Sequence, residues 1–317
     1  MALRETYMVK SDLSLSANET LTLEARTGES LLVKDVLVLG ETDTYCLFSI
    51  GRDTVGFFRL SYHNCGSHLY PPRGVNNVGF SAGEMVASHS LISLLVRKGL
   101  FNGFPIAEGE KFVVSPYTSG KKLAEVLVIY EKYDAGDIKS DMPNGSEAKE
   151  YIYVAYGRPS ETVKSSGTYT YDTMVNPEEF ADFPFEGECP AKTEIELLGI
   201  TGWEVISVAD ASNYTMTKYL KLFRGRKLLF DIDKKGIPMY QYYYSGLSGT
   251  VGGSGFSLIG QYSHKDFRMP LLFDTPIKFT SGEELRVSVE VEAEGSGSEI
   301  DAEYLELGFI LRARITE

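Results

Sequence analysis

The chain has 317 residues, 43% hydrophobic and 24% charged, a composition typical of folded globular proteins and unlike that of disordered chains. Its formal net charge is −13, with no basic run longer than a pair of residues, which argues against a protein that grips nucleic acid through its own surface. Its apolar runs are far shorter than the ~20 residues that span a bilayer, and its start lacks the apolar core of a signal peptide. We therefore expect a soluble chain, made in a cytosol, with no transmembrane segment.

Alternating apolar and polar residues predict strands along the first part of the chain. The segment ETLTLEA (Glu19–Ala25) alternates leucine with threonine and glutamate, which is the period of a half-buried strand. Further strands are predicted in ESLLVKDVLVLG, YCLFSIGRDTVGFFRL, KFVVSPY and AEVLVIYEKY, which turn residues separate. The segment Ala82–Gly99 has a helical pattern that fits poorly after Leu91, so we expect at most one short helix there.

The middle of the chain predicts a connection between two runs of strands. The polar segment Asp134–Glu150 contains Pro-Asn-Gly and is typical of an exposed linker. The segments YIYVAYG and TYTYDTMV then predict a hairpin over Tyr151–Val175, and the loop Asn176–Pro190 leads into a second run of strands. Many short strands without long helices predict an all-β sandwich or barrel.

One short pattern occurs twice, as FPIAEGEKFVV (Phe104–Val114) and as TPIKFTSGEELRVSV (Thr275–Val289). Both copies contain Pro-Ile, then Gly-Glu, then an alternating run. Other matches keep the same order along the chain, and together they pair Arg52 with Arg224, Ser90-Leu91-Ile92 with Ser257-Leu258-Ile259, Pro105 with Pro276, Gly109-Glu110 with Gly282-Glu283, and AEVLVIY with LELGFIL. The common order predicts an internal duplication.

The duplication predicts two tandem β-sandwiches of about 130 residues each, a size that suits an eight-stranded jelly roll of two four-stranded sheets. We predict a first jelly roll at 1–133, a linker with an extra β-hairpin at 134–185, and a second jelly roll at 186–317. The spacing of the matched segments changes where a loop would accept extra residues at little cost.

Histidine and cysteine patterns predict no metal, cofactor or catalytic site. In HNCGSH, His63 and His68 flank a cysteine, but the spacing and the missing glutamate do not match a cupin metal site. His89 and His264 are isolated, so a two-domain cupin-type enzyme is disfavoured. The cysteines are odd in number and widely spaced, which fits free or buried thiols better than disulfides; they are Cys46, Cys65 and Cys189.

Two further segments have a structural and a functional interpretation. The loop TVGGSGFS (Thr250–Ser257) matches neither a nucleophile elbow nor a phosphate loop, so we interpret it as a surface loop. In VSVEVEAE, valines alternate with Glu290, Glu292 and Glu294. A solvated strand face explains this pattern, and a calcium site is the alternative. Carboxylates are too numerous to nominate a catalytic pair.

A tyrosine cluster in MYQYYYSG (Met239–Gly246) is the strongest candidate interaction site. Adjacent tyrosines place rings on both faces of a strand, and tyrosine is favoured at interfaces because it joins apolar area to a hydrogen-bonding tip. The cluster therefore predicts an interface or a ligand-stacking platform, formed by Tyr240, Tyr242, Tyr243 and Tyr244.

Two successive jelly rolls without a catalytic signature resemble the double jelly-roll major capsid proteins of tailless icosahedral DNA viruses. The resemblance is architectural, and it is carried by the ordered pairs Arg52/Arg224, Pro105/Pro276 and Gly109-Glu110/Gly282-Glu283. It implies a homotrimer with a pseudo-hexagonal outline that tiles an icosahedral shell with neighbouring capsomers and other capsid proteins. It also implies a virion location after synthesis in the host cytoplasm, no enzymatic activity and no direct contact with nucleic acid.

The main alternative is a tandem β-sandwich carbohydrate- or receptor-binding module of a virion or cell surface. In that case some of the rings in Tyr240–Tyr244, with the loop Gly246–Gly260, would line a ligand groove.

Overall fold

The computed structural model describes residues 3–12, 14–40, 45–61, 65–66, 91–117, 119–138, 148–159, 161–171, 188–202, 208–209, 214–230, 235–238, 270–294 and 307–316. These residues form strands, turns and one short helix, so the predicted all-β class is confirmed. The chain divides into two compact units, Met1–Tyr153 with Ala313–Glu317, and Val154–Arg312. This division falls inside a strand, whereas the sequence predicted a linker over 134–185.

The first unit contains two antiparallel sheets and a helix, α1 (Leu91–Arg97). Its strands are β1 (Leu3–Asp12), β2 (Leu21–Glu24), β3 (Glu29–Gly40), β4 (Tyr45–Ile50), β5 (Asp53–Ser61), β6 (Cys65–Gly66), β7 (Phe104–Ile106), β8 (Lys111–Pro116) and β9 (Leu123–Asp134). One sheet has the order β1-β9-β3-β7 and the other the order β2-β8-β4-β5, with β6 beside β5. Strand β10 (Ala148–Gly157) begins in this unit and ends in the second.

Alternation along these strands places aromatic rings between the two sheets. Phe48 of β4 and Phe112 of β8 have ring centroids 5.5 Å apart. Phe104, on β7 of the other sheet, lies 5.7 Å from Phe48 and 5.4 Å from Phe112. All three side chains are fully buried. Because large aromatic side chains remove much apolar area from water, this cluster fixes how the two sheets pack.

Helix α1 lies within Ala82–Gly99, where the sequence allowed at most one short helix, and it forms from Leu91 onward, where the helical pattern fits poorly. Five consecutive residues, from Leu91 to Leu95, are buried, so the helix lacks the polar face that produces a clear 3.6-residue period. It ends at Arg97, two residues before Gly99, which has a φ of +70°, and the Leu100 N–H donates to the Leu95 carbonyl at 2.9 Å. Glycine adopts this left-handed conformation readily and so stops the helix.

The second unit also contains two antiparallel sheets. Its strands are β11 (Gly167–Thr170), β12 (Thr193–Gly202), β13 (Val208–Ala209), β14 (Tyr214–Arg224), β15 (Lys227–Leu228), β16 (Ile237–Pro238), β17 (Leu271–Phe279), β18 (Leu285–Glu294) and β19 (Leu307–Thr316). The end of β10 joins one sheet, with the order β10-β19-β12-β17, and the other has the order β11-β18-β14. Strands β13, β15 and β16 each pair with β14.

The two units repeat one strand order. In the first sheet of each unit, β10, β19, β12 and β17 follow one another as β1, β9, β3 and β7 do. In the second sheet, β11, β18 and β14 correspond to β2, β8 and β4. The repeated part therefore begins at Ala148 and includes two strands that the sequence assigned to a linker.

The two strands of the predicted hairpin over Tyr151–Val175 do not pair with each other, and their described segment is joined only by an isolated antiparallel bridge between Pro159 and Tyr171. Strand β10 pairs with neighbours in one sheet, whereas β11 pairs with β18 in the other, where Tyr169 lies opposite Val289. The chain between β10 and β11 crosses from one sheet to the other. A hairpin was expected because consecutive strands usually pair, whereas here β11 pairs along its length with β18 and its own residues are mostly exposed.

The repeated Pro-Ile and Gly-Glu pattern forms the same turn in both units. In the first unit, Gly109 has a φ of +83 and donates its N–H to the Ala25 carbonyl at 2.8 Å. In the second unit, Gly282 has a φ of +81 and donates to the Cys189 carbonyl at 2.9 Å. Both turns need the left-handed conformation that glycine alone adopts without strain, which explains why this part of the duplication is visible in the sequence.

The glutamate of each Gly-Glu pair closes its own turn. The Glu110 carboxylate accepts a hydrogen bond from the Ala107 N–H at 2.9 Å, and the Glu283 carboxylate accepts one from the Thr280 N–H at 2.8 Å. Such local bonds from side chain to backbone stabilise turns. The two copies thus share a side-chain function as well as a backbone shape.

A second shared turn corrects one of the sequence matches. Gly51, with a φ of +61, and Gly225, with a φ of +57, each join the two strands of a hairpin. The residue that follows them is Arg52 in one copy and Arg226 in the other. Arg52 therefore corresponds to Arg226, and not to Arg224 as the sequence match proposed. The backbone requirement for glycine sets the register, and the arginines need only be exposed nearby.

Candidate functional site

A cleft of about 260 Å³ lies between α1 and the outer face of the β1-β9-β3 sheet in the first unit. Its volume lies just below the ~300 Å³ at which small-molecule sites begin. Its lining combines charges of both signs with apolar groups, supplied by Thr6, Lys34, Asp35, Ser93, Val96, Arg97, Ile129, Tyr130 and Glu131. We first consider this cleft as a ligand site.

Two of the charges in the cleft, Lys34 and Glu131, form an ion pair. The β3–β9 register shifts between Val33 and Asp35, and this irregularity places Lys34 at the cleft, as a bulge often re-aims a side chain. The Lys34 ammonium lies 3.7 Å from the Glu131 carboxylate and donates to the Asn102 carbonyl at 3.0 Å. A lysine held in this way binds the fold together and is poorly placed to attack a substrate.

The phenols beside the cleft stay protonated at neutral pH. Burial, followed by the charge of Glu29, raises the pKa of Tyr130. Burial, followed by a hydrogen bond to Glu131, raises the pKa of Tyr133 to about 12. A general base works best with a pKa near the operating pH, so neither phenol is tuned for proton transfer. The contacts in the cleft are therefore those of a helix that packs on a sheet.

Two glutamates on the exposed face of β18 form ion pairs with lysines of the neighbouring strand β14. Val287, Val289 and Val291 of β18 are buried, as the alternation predicts. On the other face, Lys221 of β14 donates to the Glu290 carboxylate at 2.7 Å, and Lys218 forms an ion pair with Glu292. These cross-strand pairs account for the acidic face without a calcium ion. The side chain of Glu294 lies outside the described part.

A second set of charges, centred on a buried glutamate, lies in the β10-β19-β12-β17 sheet. Glu196 of β12 is only 3% exposed. It accepts a hydrogen bond from Arg312 of β19 at 2.7 Å and lies 3.3 Å from the Lys278 ammonium of β17. Hydrogen bonds to Glu194 and Glu196 raise the pKa of Lys278. These contacts link three neighbouring strands, so we assign the group a structural role.

The thiols are buried where the structure describes them. Cys46 and Cys189 are free cysteines, and burial raises the pKa of both thiols. Thiolate is the reactive form, so neither thiol is activated. Within the described ranges, no group of three or more His, Cys, Asp or Glu side chains could hold a metal ion.

The predicted tyrosine site lies outside the described residues, as do other segments that were considered as sites in the sequence. These are the tyrosines Tyr240, Tyr242, Tyr243 and Tyr244, the histidines His63, His68, His89 and His264, and the loop Thr250–Ser257. The interface or ligand-stacking role of the tyrosines stays a prediction. In the part of the chain that is described, no helix is long and apolar enough to cross a membrane.

Exposed apolar side chains that the sequence did not predict occur separately in each of the two units. Among the large apolar residues described, Leu3 is 48% exposed, Val9 is 53% exposed and Phe230 is 45% exposed. Leu3 and Val9 lie on β1, the terminal strand of its sheet. Phe230 follows β15, and its ring lies 5.2 Å from that of Phe273. Apolar groups on open strand edges are typical of surfaces that another chain covers.

No known family model and no curated protein matches this chain. One matching solved structure is a Paenibacillus xanthan lyase, at 8% sequence identity and a TM-score of 0.18. The match covers 100% of this chain and 25% of the lyase chain, so the chain spans about a quarter of the length of that enzyme. A TM-score this low does not indicate a shared fold and carries no functional information about this chain.

Proposed function

We propose that this protein is the major capsid protein of a tailless icosahedral DNA virus, built as a double jelly roll. The observation that supports the proposal most strongly is the repeated strand order. An eight-stranded jelly roll packs two four-stranded antiparallel sheets face to face. The orders β1-β9-β3-β7 and β2-β8-β4-β5 have this form, and the described strands of the second unit repeat it.

The proposed assembly is a homotrimer with a pseudo-hexagonal outline. Three copies of two similar units present six similar wedges, and such capsomers can tile an icosahedral shell. Closed cyclic assembly needs complementary surfaces on the sides of the chain, and the exposed apolar residues of β1 and Phe230 supply apolar area for them. Partners in the proposed virion are neighbouring capsomers and other capsid proteins.

The proposal assigns the protein a structural role and no catalytic step. In the cleft beside α1, Lys34 is held by Glu131 and by a backbone carbonyl, which supports a structural role for this group. The strongly negative chain would also leave contact with the genome to other virion components.

Electron microscopy of the purified chain in negative stain tests this proposal. We expect particles with a hexagonal outline, and sheets or shells of such particles at high protein concentration. Particles with two lobes and no higher symmetry would contradict it. A glycan array with hits that Tyr242→Ala and Tyr243→Ala abolish would support the carbohydrate-binding alternative instead.

A further inference from the structure

We propose that neighbouring copies of the chain are joined by strand addition. The β15–β16 edge is the side of β15 and β16 that faces away from β14. In the proposed contact, strand β1 of one copy pairs in parallel with the β15–β16 edge of the next copy. The inference rests on the proposed trimer and names the contact that would close it.

The first step is a strand pair inside the chain. Strand β10 pairs with β5 in parallel, with Ile152 opposite Gly56 and Tyr153 opposite Phe57. All four residues belong to the first unit. The sheet β2-β8-β4-β5 is therefore extended by a strand at its β5 side. Parallel addition of a strand satisfies main-chain groups that an edge would otherwise present to water.

The second step is the correspondence between the two units. Strand β10 has the position in its sheet that β1 has in the first unit, next to β19 and β9 respectively. Strand β15 has the position of β5, since each follows the hairpin turn at Gly225 or Gly51. The counterpart of the internal β5–β10 pair is thus a pair between β15 and β1.

The third step is that both of these strands are open in the described structure. Strand β1 is the terminal strand of its sheet, and no described strand lies on the far side of β15 or β16. In the described part of the chain β1 pairs with β9 and β15 pairs with β14, so a second copy is the partner that can complete the pattern. The contact is heterologous, with different surfaces on its two sides, as ring closure of a trimer requires.

Exposure of apolar side chains supports the same two edges. The three large apolar residues that are exposed among those described are Leu3 and Val9 on β1, and Phe230 beyond β15. Phe230 follows Gly225 by five residues, as Gly56 follows Gly51, and Gly56 is a residue that pairs with β10. An exposed ring therefore lies at the position where the added strand is expected.

The geometry at Phe230 fits a contact surface. Its φ is +54, a left-handed conformation that is strained for a bulky residue. The conformation places the ring against Phe273, with centroids 5.2 Å apart, while nearly half of the residue stays exposed. The neighbouring Arg226 and Lys227 are also exposed, which favours approach of another copy of this acidic chain.

Cysteine cross-linking tests the contact. The full chain carrying Glu5→Cys and Phe230→Cys is treated with a short bismaleimide and separated on a denaturing gel. Both positions are exposed, so the substitutions should not disturb the units. We expect covalent dimers and trimers from the double variant and only monomers from each single variant, which carries the same native cysteines and serves as its control.

The outcomes separate this contact from the proposed function. Cross-linked trimers from the double variant alone support it. If the wild type is a trimer by light scattering and the double variant does not cross-link, the β1 contact is overturned and the capsid proposal stays in place. A wild-type monomer overturns both.

A charge at the edge gives a second readout. Val9→Lys buries an unpaired ammonium if β1 is covered, so we expect assembly to weaken by about tenfold or more. Thr22→Lys is the matched control, because Thr22 is exposed on β2, another terminal strand. Circular dichroism should show the same fold for both variants. Equal assembly of the two variants by light scattering would contradict the proposed contact.

Discussion

Single glycines carry much of the information that links the two halves of this chain. Gly109 and Gly282 occur at the same point of the same turn, with φ values of +83 and +81. A side chain there would be strained, so both copies need glycine. This requirement is local, and for that reason it could be predicted from the sequence. The aromatic packing around Phe48 could not, since it depends on which strands face one another.

At the residue scale, Gly56 should be intolerant of a methyl group. An added Cβ would lie 2.9 Å from ring atoms of both Phe48 and Phe58, and both rings are fully buried. We expect Gly56→Ala to lower the free energy of unfolding by about 1–3 kcal/mol, the usual cost of overpacking. Urea unfolding measures it. Gly167→Ala is the control, because its Cβ would meet only a ring atom of Tyr169 at 3.8 Å; similar losses for both variants would contradict the clash.

The carboxylate of Glu283 should make stability depend on acid pH. A hydrogen bond from the Thr280 N–H, followed by one from its hydroxyl and by the charge of Arg224, holds the pKa of Glu283 below its usual value. A carboxyl with a lowered folded-state pKa stabilises the fold above its unfolded pKa, and this contribution is lost as pH falls through the folded value. We expect Glu283→Gln to be less stable than wild type at neutral pH.

The difference between wild type and Glu283→Gln should vanish in acid, where both side chains are uncharged. Urea midpoints measured at neutral pH and well below the folded-state pKa would show it. A stability difference that is the same at both pH values would mean that the Glu283 charge is not involved.

At the scale of elements, the strands were easier to predict than their partners. The alternation in β2 and β18 reports local burial, and the fully buried run in α1 explains its weak helical pattern. Strands β10 and β11 were assigned to a hairpin because two strand-like segments flank the turn-rich stretch RPSETVKSSG. Their pairing depends on β18 and β19, which lie more than a hundred residues later in the chain. Contacts this distant leave little trace in a short segment.

The charged group in the second unit gives an element-scale prediction. Glu196 is held by Arg312 and Lys278, with the Glu196 side chain 4% exposed and that of Arg312 11% exposed. Removing one partner of a buried ion pair leaves an uncompensated charge. We expect Glu196→Gln to lower the free energy of unfolding by about 3 kcal/mol.

A matched variant in the same unit is Glu290→Gln. The Glu290 side chain pairs with Lys221 and is 37% exposed, so solvent screens its charge and the loss should be less than about 1 kcal/mol. Thermal or urea unfolding of both variants measures the difference. Equal losses would show that burial of Glu196 does not matter to the fold.

At the scale of the whole molecule, two copies of one strand order in a single chain favour assembly over catalysis. Each unit has its own core, with Phe48 and Phe112 in the first and Phe279 and Phe309 in the second, so the cleft at α1 is a local feature of one unit. The exposed apolar residues of β1 in the first unit and Phe230 in the second were not predictable from sequence. Exposure depends on which strands lie at the edge of a sheet, and strand pairing decides which strands these are.

The mass of the assembled protein tests the central claim most directly. Light scattering on the purified full chain should give three times the mass of the 35.2 kDa chain. Dilution of the sample should leave this mass unchanged. A mass equal to that of a single chain under the same conditions would contradict the capsid proposal.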